Sequence, residues 1–266
     1  MEQGIYPNIS HSEYHAMKDI VSNSYLQRLN ECPASARLPM EETPALIFGR
    51  AFHSFLLDPK ESFDRDFAVC HSNDQRTKIW KEFAEQNKGK TIIGHDDYIK
   101  IGEMYGAIAT HPLAAPLLMK GRSEMSVFWT DEETGLPCKC RPDRIPDGDH
   151  GVILDLKTVR NADVHAFTRA CMTYGYAREA GMYIAGFNAV SSAKVDSFMF
   201  IVIEKDPPYR TEVYVMEDLF VEHGQSEFHR LLRIEKECRE KNLWPHWKNE
   251  AIRGLFLPYY AGIGDE

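Results

Sequence analysis

The stretch that most limits how this chain can fold is "GVILDLKTV", residues 151–159. Successive residues of a strand point to opposite faces, so Asp155 and Lys157 share one face while Leu154 and Leu156 pack into the other. It is preceded by "EMSVFWT" and "LPCKCRPDRI", both rich in β-formers, with the turn signals "DEETG" and "DGDHG" between them. The three segments read as a three-strand meander. Helical stretches lie on either side: "IVSNSYLQRLNECP", capped by Ser22, Asn23 or Ser24 and ended by Pro33, then 45–59, stopped by Asp58-Pro59, then 76–88 and 95–109. After the meander come a helical zone from Ala162 to about Phe187, strands at "KVDSFMFIVIEK" and "RTEVYVM", and a last helix over roughly 218–241. This order predicts an α/β fold in one domain, 1–266, with no linker or repeat. Its parts are a mainly helical region (1–120), a sheet with helices (121–217), and a C-terminal helix and tail (218–266).

The bulk composition fits an ordinary globular protein, at 43% hydrophobic and 27% charged residues. No apolar run approaches the ~18 residues of a membrane span. The first residues, "MEQGIYPNISHSEY", have neither a basic nor an apolar targeting region, so a cytoplasmic location is expected. Six scattered cysteines then read as reduced thiols. The net charge of -9 argues against a basic coat, though a local basic groove can coexist with an acidic exterior.

The chemistry is expected in the meander. Asp143, after Pro142, comes opposite Asp155 if the "PDGDHG" turn closes the hairpin, and proline suits a bend where pairing stops. Two neighbouring carboxylates repel unless a cation sits between them, and Mg²⁺ prefers such oxygen ligands. Lys157 beside that ion can orient or deprotonate a water, or meet charge developing on a phosphoryl group. Metal-assisted hydrolysis of a phosphodiester follows. An isolated Asp-x-Lys on a strand is usually a solvated surface, but here it is joined to Pro-Asp and a tight turn.

Pro142-Asp143 with Asp155-Leu156-Lys157 follows the PD-(D/E)xK nuclease pattern, and the chain resembles the RecE-type (exonuclease VIII) nuclease family. The likeness runs through "VSNSYLQRLNECPA", "FGRAFHSFLLDP", "SEMSVFWTDEETGLPCKCRPDRI", "ILDLKT", "TYGYAREAGMYIAGF" and "EFHRLLRIEKECREKNLWP", in order over nearly the whole chain. The resemblance implies a restriction-endonuclease-like core, a central mixed β-sheet flanked by helices with a helical N-terminal region. It implies Mg²⁺-dependent (Mn²⁺ substituting) 5′-to-3′ digestion of linear double-stranded DNA, leaving 3′ single strands for a single-strand annealing protein, by a toroidal homotetramer.

By resemblance His53, Asp143, Asp155 and the Leu156 carbonyl are metal ligands, and Lys157 is the catalytic lysine. On sequence alone a histidine on an apolar helix is more often a core residue, although Gly49, one turn earlier, would let a strand or ligand approach. Glu124 opens the first meander strand and can hold a metal-bound water or a second ion, or be a solvated carboxylate. The family's Gln-x-x-x-Tyr pair becomes Glu179 and Tyr183 here. A glutamate repels phosphate, so either Glu179 faces the metal or Arg178 supplies the DNA contact, an exposed helix face being the alternative; Tyr183 keeps a phosphate or structural role. Arg37, Arg50, Arg76, Lys78, Lys81, Arg160 and Arg169 join Arg178 as candidates for lining a DNA path, and Ser24 with its neighbours can hold a terminal phosphate or simply cap a helix. Cys138-x-Cys140 lacks the further cysteines of an iron–sulfur nuclease, and no phosphate loop is present. Two other readings stay open: an endonuclease or single-strand nuclease of the same fold, and an inert DNA-binding or assembly module.

Overall fold

The apolar run forms an eight-residue strand inside a five-stranded mixed sheet, and helices cover both faces. The computed structural model describes residues 1–7, 9–39, 42–57, 60–119, 121–145 and 151–247. The expected Asp58-Pro59 stop, most of the "PDGDHG" turn and the tail beyond 247 lie outside the described residues. In chain order the first part comprises β1 (Gly4–Tyr6), α1 (His11–Ala16), α2 (Asn23–Glu31), a 3-10 turn (Pro33–Arg37), α3 (Pro44–Leu57) and α4 (Lys60–Asp66). It continues through β2 (Phe67–Cys70), α5 (Lys78–Gln86), β3 (Thr91–Gly94), α6 (His95–Thr110) and α7 (Ala114–Met119). The second part holds β4 (Arg122–Ser123), β5 (Ser126–Thr130), β6 (Pro137–Cys140), β7 (Arg144–Ile145) and β8 (Val152–Val159). It ends with α8 (Val164–Tyr174), α9 (Tyr176–Val190), β9 (Ser197–Glu204), β10 (Thr211–Val215) and α10 (Asp218–Lys241).

The main sheet has the order β10-β9-β8-β7-β4. β8 and β9 are parallel over their full lengths, with α8 and α9 forming the crossover, and the other pairs are antiparallel. The side-chain alternation of β9 sorts the two cores. Phe198, Phe200 and Val202 join α2, α9, α10 and β5 in one cluster, while Ile201 and Ile203 join α3, α6 and Leu156 in the other. Asp155 and Lys157 share a strand face with Ile153, which belongs to the α9 side.

The expected meander is in fact two hairpin arms in two sheets. β5 pairs with β6 on one side and β1 on the other, whereas β7 and β8 belong to the main sheet. The break falls at Arg141-Pro142, where proline has no N–H for a ladder. The facing chain bends at Glu124, whose φ of 52° lies in the left-handed region, and its N–H donates to the Asp143 carbonyl at 3.2 Å. The helical zone after β8 is likewise two helices. Gly175, at φ 70°, ends α8 and starts α9.

The placement of α9 is set by contact without side chains. A Cβ at Gly224 of α10 would lie 1.8 Å from the Ala177 carbonyl oxygen, and one at Gly181 would lie 2.4 Å from the Gln225 nitrogen. Only glycine at both crossings lets the two backbones meet this closely. Ser22, one of the three candidate caps, is the residue that caps α2, accepting from the Tyr25 N–H at 3.3 Å.

Candidate functional site

The β7–β8 register pairs Arg144 with Leu154, which puts Asp143 at the end of the ladder beside Asp155. Asp143 is fixed from behind: its Oδ2 accepts from the Leu156 N–H at 2.7 Å, leaving Oδ1 to face His53 Nδ1 at 3.4 Å. His53 arrives from α3, whose apolar residues Phe48, Ala51, Phe52 and Leu57 anchor it in the second core. The left-handed bend at Glu124 brings a third group. Ligand atoms of His53, Glu124 and Asp143 all lie within 4.8 Å of one another. Arg141 Nε stands 3.9 Å from Glu124 Oε2 and is itself held by Ser126 Oγ and the Ile9 carbonyl.

Asp155 stands outside that triad and turns Oδ2 to Lys157 Nζ at 2.6 Å. The same ammonium meets Glu179 Oε2 at 2.9 Å and lies 4.5 Å from the centre of the Tyr176 ring. Both Asp155 and Glu179 are buried, at 3% and 8% exposure, so these charges interact through little water.

The electrostatics follow from this crowding. Burial raises the Asp155 carboxyl well above its ordinary value, and the charges of Asp143 and Glu179 add to the effect against the pull of Lys157. Burial alone would lower the Lys157 ammonium, but Asp155 and then Glu179 reverse the sign and raise it well above its usual range. Lys157 therefore stays charged at neutral pH. That charge suits one of the roles expected for it, meeting negative charge that develops on a phosphoryl group. Burial would also lower His53, but Asp143 first, then Asp155 and Glu124, bring it to about 9.

The donor set suits a hard divalent cation. It offers carboxylate oxygens and one imidazole, crowded so that their charges repel without a counter-ion. Asp155 Oδ2, shielded from solvent, makes no aligned hydrogen bond. His53, Glu124, Asp143 and Asp155 are the residues that could hold the ion. The Leu156 backbone enters the geometry through its N–H to Asp143.

Other expected site residues are placed differently. Arg178 is buried at 4% exposure, its Nε donating to Asn23 Oδ1 at 2.9 Å and a terminal nitrogen donating to Gln27 Oε1 at 2.7 Å. These bonds brace α9 against α2. Ser24 sits beside Ser22 at 3.1 Å between their hydroxyls, at the start of α2. Tyr183 packs edge-on against Phe198, and burial holds its phenol protonated. Among the described residues, none outside its own helix backbone and chain neighbours comes within 4 Å of where a Cβ on Gly49 would lie, so none of the described strands approaches there. Glu179 is buried and not on an exposed helix face, and its Oε2 pairs with Lys157.

Among the candidates for a DNA path, Arg37 stacks over Trp244, and Arg50, Arg76 and Lys78 pair with Glu42, Asp74 and Glu82. Arg160 and Arg169 are exposed. Cys138 and Cys140 are buried strand residues whose thiols are pushed up by burial. Sequence reasoning passed over Tyr176 and Arg141. The i, i+3 spacing of Tyr176 and Glu179 was a signal for the first, and adjacency to Pro142 was one for the second.

The family model for a PDDEXK-like domain of unknown function (DUF3799) matches residues 10–253. A crystal structure of a protein from Eubacterium rectale, provisionally described as an exonuclease, superposes with a TM-score of 0.59 at 15% identity, covering 97% of this chain and 99% of that one. The SSO0001 protein covers 70% of this chain and 85% of its own at 13% identity, with a TM-score of 0.30 that carries no weight. No curated protein sequence matches this chain. The shared fold agrees with the restriction-endonuclease-like architecture of the mixed sheet.

Proposed function

Since the chain belongs to the PDDEXK-like family DUF3799, we propose that it is a divalent-metal-dependent exodeoxyribonuclease of RecE type, working 5′ to 3′ on linear double-stranded DNA. The observation that carries this reading is the His53, Glu124 and Asp143 triad, its ligand atoms within 4.8 Å, set beside the Asp155–Lys157 pair. A divalent cation bound there supplies Lewis-acid charge and lowers the pKa of a water. The protein's part is to orient and to compensate charge. Asp143 is locked by the Leu156 N–H, and Asp155 has an oxygen free of aligned hydrogen bonds. The Lys157 ammonium stabilises the negative charge that builds on the phosphoryl oxygens as the bond to the leaving group breaks.

The wider setting belongs to the same proposal. Products are mononucleotides and a 3′-terminated strand, handed to a single-strand annealing protein in recombination. A chain of net charge -9 binds a polyanion well only where basic groups are concentrated, and a closed ring of four copies does this while its acidic exterior repels stray DNA. Among the described residues no helix is long and apolar enough to cross a membrane, and the proposed setting is the cytoplasm.

The test is digestion of end-labelled linear duplex beside covalently closed circles. With Mg²⁺ or Mn²⁺ the linear DNA should lose its 5′ strand and the circles should persist. Ca²⁺ should support binding with little turnover, because its larger, looser shell fits Mg²⁺ geometry poorly. Cleavage undiminished in excess EDTA would sink the metal reading. Circles cut as fast as linear DNA would make the protein an endonuclease, and preference for single strands would move it to that class. DNA binding without cleavage in any metal would leave the inert module.

A further inference from the structure

One ammonium in this site has two carboxylate partners. Lys157 Nζ lies 2.6 Å from Asp155 Oδ2 and 2.9 Å from Glu179 Oε2. Asp155 is also the buried carboxylate whose oxygen has no aligned hydrogen bond and which the metal reading commits to a cation. One carboxylate oxygen cannot serve an ammonium and a divalent cation at contact distance without bringing like charges together. We propose that Glu179 is a positioning residue: it holds Lys157 beside the reacting phosphate once Asp155 is committed to a divalent cation, and so lowers the competition of Lys157 for that cation's site. This rests on the nuclease reading above and goes further, to a glutamate where the family resemblance carries glutamine.

The structure gives Glu179 what an anchor needs. It lies in the first turn of α9, where the exposed N–H ends of the helix favour negative charge. Its backbone is held rigidly, because Gly181, two residues on, meets α10 with no room for a Cβ. The Tyr176 ring, at the start of the same helix, closes over the ammonium at 4.5 Å, which leaves Lys157 little other choice of position. Glutamine here would still accept a hydrogen bond but would not offset the ammonium charge.

The test is a double-mutant cycle read by calorimetric titration of Mn²⁺ into the full chain, without DNA. In Glu179→Ala, Lys157 has only Asp155 left and competes fully, so Mn²⁺ affinity should fall about tenfold, the scale expected for an uncompensated buried charge. In Lys157→Ala, affinity should be unchanged or higher. Adding Glu179→Ala to Lys157→Ala should then change it less than about twofold, because an anchor with nothing to hold has no effect. Glu179→Gln should fall between the parent and the alanine variant, and it carries the same cycle if the alanine variant does not fold. Single-turnover cleavage should drop in Glu179→Ala with DNA affinity little altered, and should not drop further when Lys157 is already alanine.

Equal loss of Mn²⁺ affinity in both backgrounds would overturn the inference by making Glu179 a ligand itself. Unchanged affinity in Glu179→Ala with Lys157 intact would overturn it too. If the parent protein binds Mn²⁺ but cuts no DNA, the nuclease reading fails while the cycle still decides the role of Glu179. If the parent binds no Mn²⁺, both fail.

Discussion

Glu235 and Asp155 are both buried carboxylates, and the protein treats them in opposite ways. Glu235, fully buried in α10, accepts from Tyr25 Oη at 2.7 Å, Arg239 Nε at 2.7 Å and Trp244 Nε1 at 3.1 Å. Three donors from α2, α10 and the segment after it converge on one group, so its charge is compensated and it ties those elements together. Asp155 pairs with one ammonium that it shares with Glu179, has two carboxylates nearby, and holds an oxygen that makes no aligned hydrogen bond among the described residues. Burial with full satisfaction marks a structural carboxylate. Burial with a deficit marks a place where something else must supply the missing charge.

Mutations break or sharpen this contrast. Asp155→Ala should have the largest effect, with cation binding and cleavage both lost, because it removes a charged ligand. Calorimetry with Mn²⁺ alongside a linear-duplex digest reads both, and retained binding would place the cation elsewhere. Glu235→Ala should cost about 3 kcal/mol of folding stability, since it leaves the tyrosine and indole donors and the Arg239 charge without their partner. A urea midpoint close to that of the parent would remove Glu235 from the structural side of the comparison.

Lys157→Ala should fold and still bind cation and DNA, yet cleave at least ~100-fold more slowly, or about 2.7 kcal/mol of transition-state stabilisation. A variant that no longer bound metal would refute this division of labour. Tyr25→Phe should be milder, at about 1.5 kcal/mol in the same denaturation assay, because Glu235 keeps its other two donors.

Asp155→Asn should show the smallest effect on stability, within about 1 kcal/mol of the metal-free parent. The sign follows from its raised folded-state value. The folded protein holds this proton more tightly than the unfolded chain, so stability falls as pH climbs above the ordinary carboxylate range. The amide removes that penalty together with the Lys157 contact, and stability should depend less on pH. A loss as large as that of Glu235→Ala would abolish the distinction between the two carboxylates.

Much of this site could be read from the sequence where spacing alone carries the information. Alternation in "ILDLKT" put Asp155 and Lys157 on one face, Pro142-Asp143 marked the end of a ladder, and 218–241 is the span of α10. Parts that depend on distant partners could not be read. Arg178 is held by Asn23 and Gln27, and nothing near it in sequence hints that it is braced internally. The division of the meander between two sheets depends on the bend at Glu124, a residue type with no preference for a left-handed backbone. β2 and β3 are four-residue strands, too short to show a period. Gly175 was a visible break signal, in "TYGYA", that the length of the helical zone obscured.

The glycine crossing between α9 and α10 has a consequence for how this family can drift. Each residue of an α-helix turns it by about 100°, so Glu179 and Gly181 face away from each other on α9. The side that touches α10 thereby fixes where the other side points. Substitutions at the few positions of α9 that are not buried leave Glu179 where it is. A one-residue insertion or deletion between Gly175 and Gly181 would swing Glu179 off Lys157 or drive a side chain into the α10 backbone. This segment should therefore keep its length among relatives.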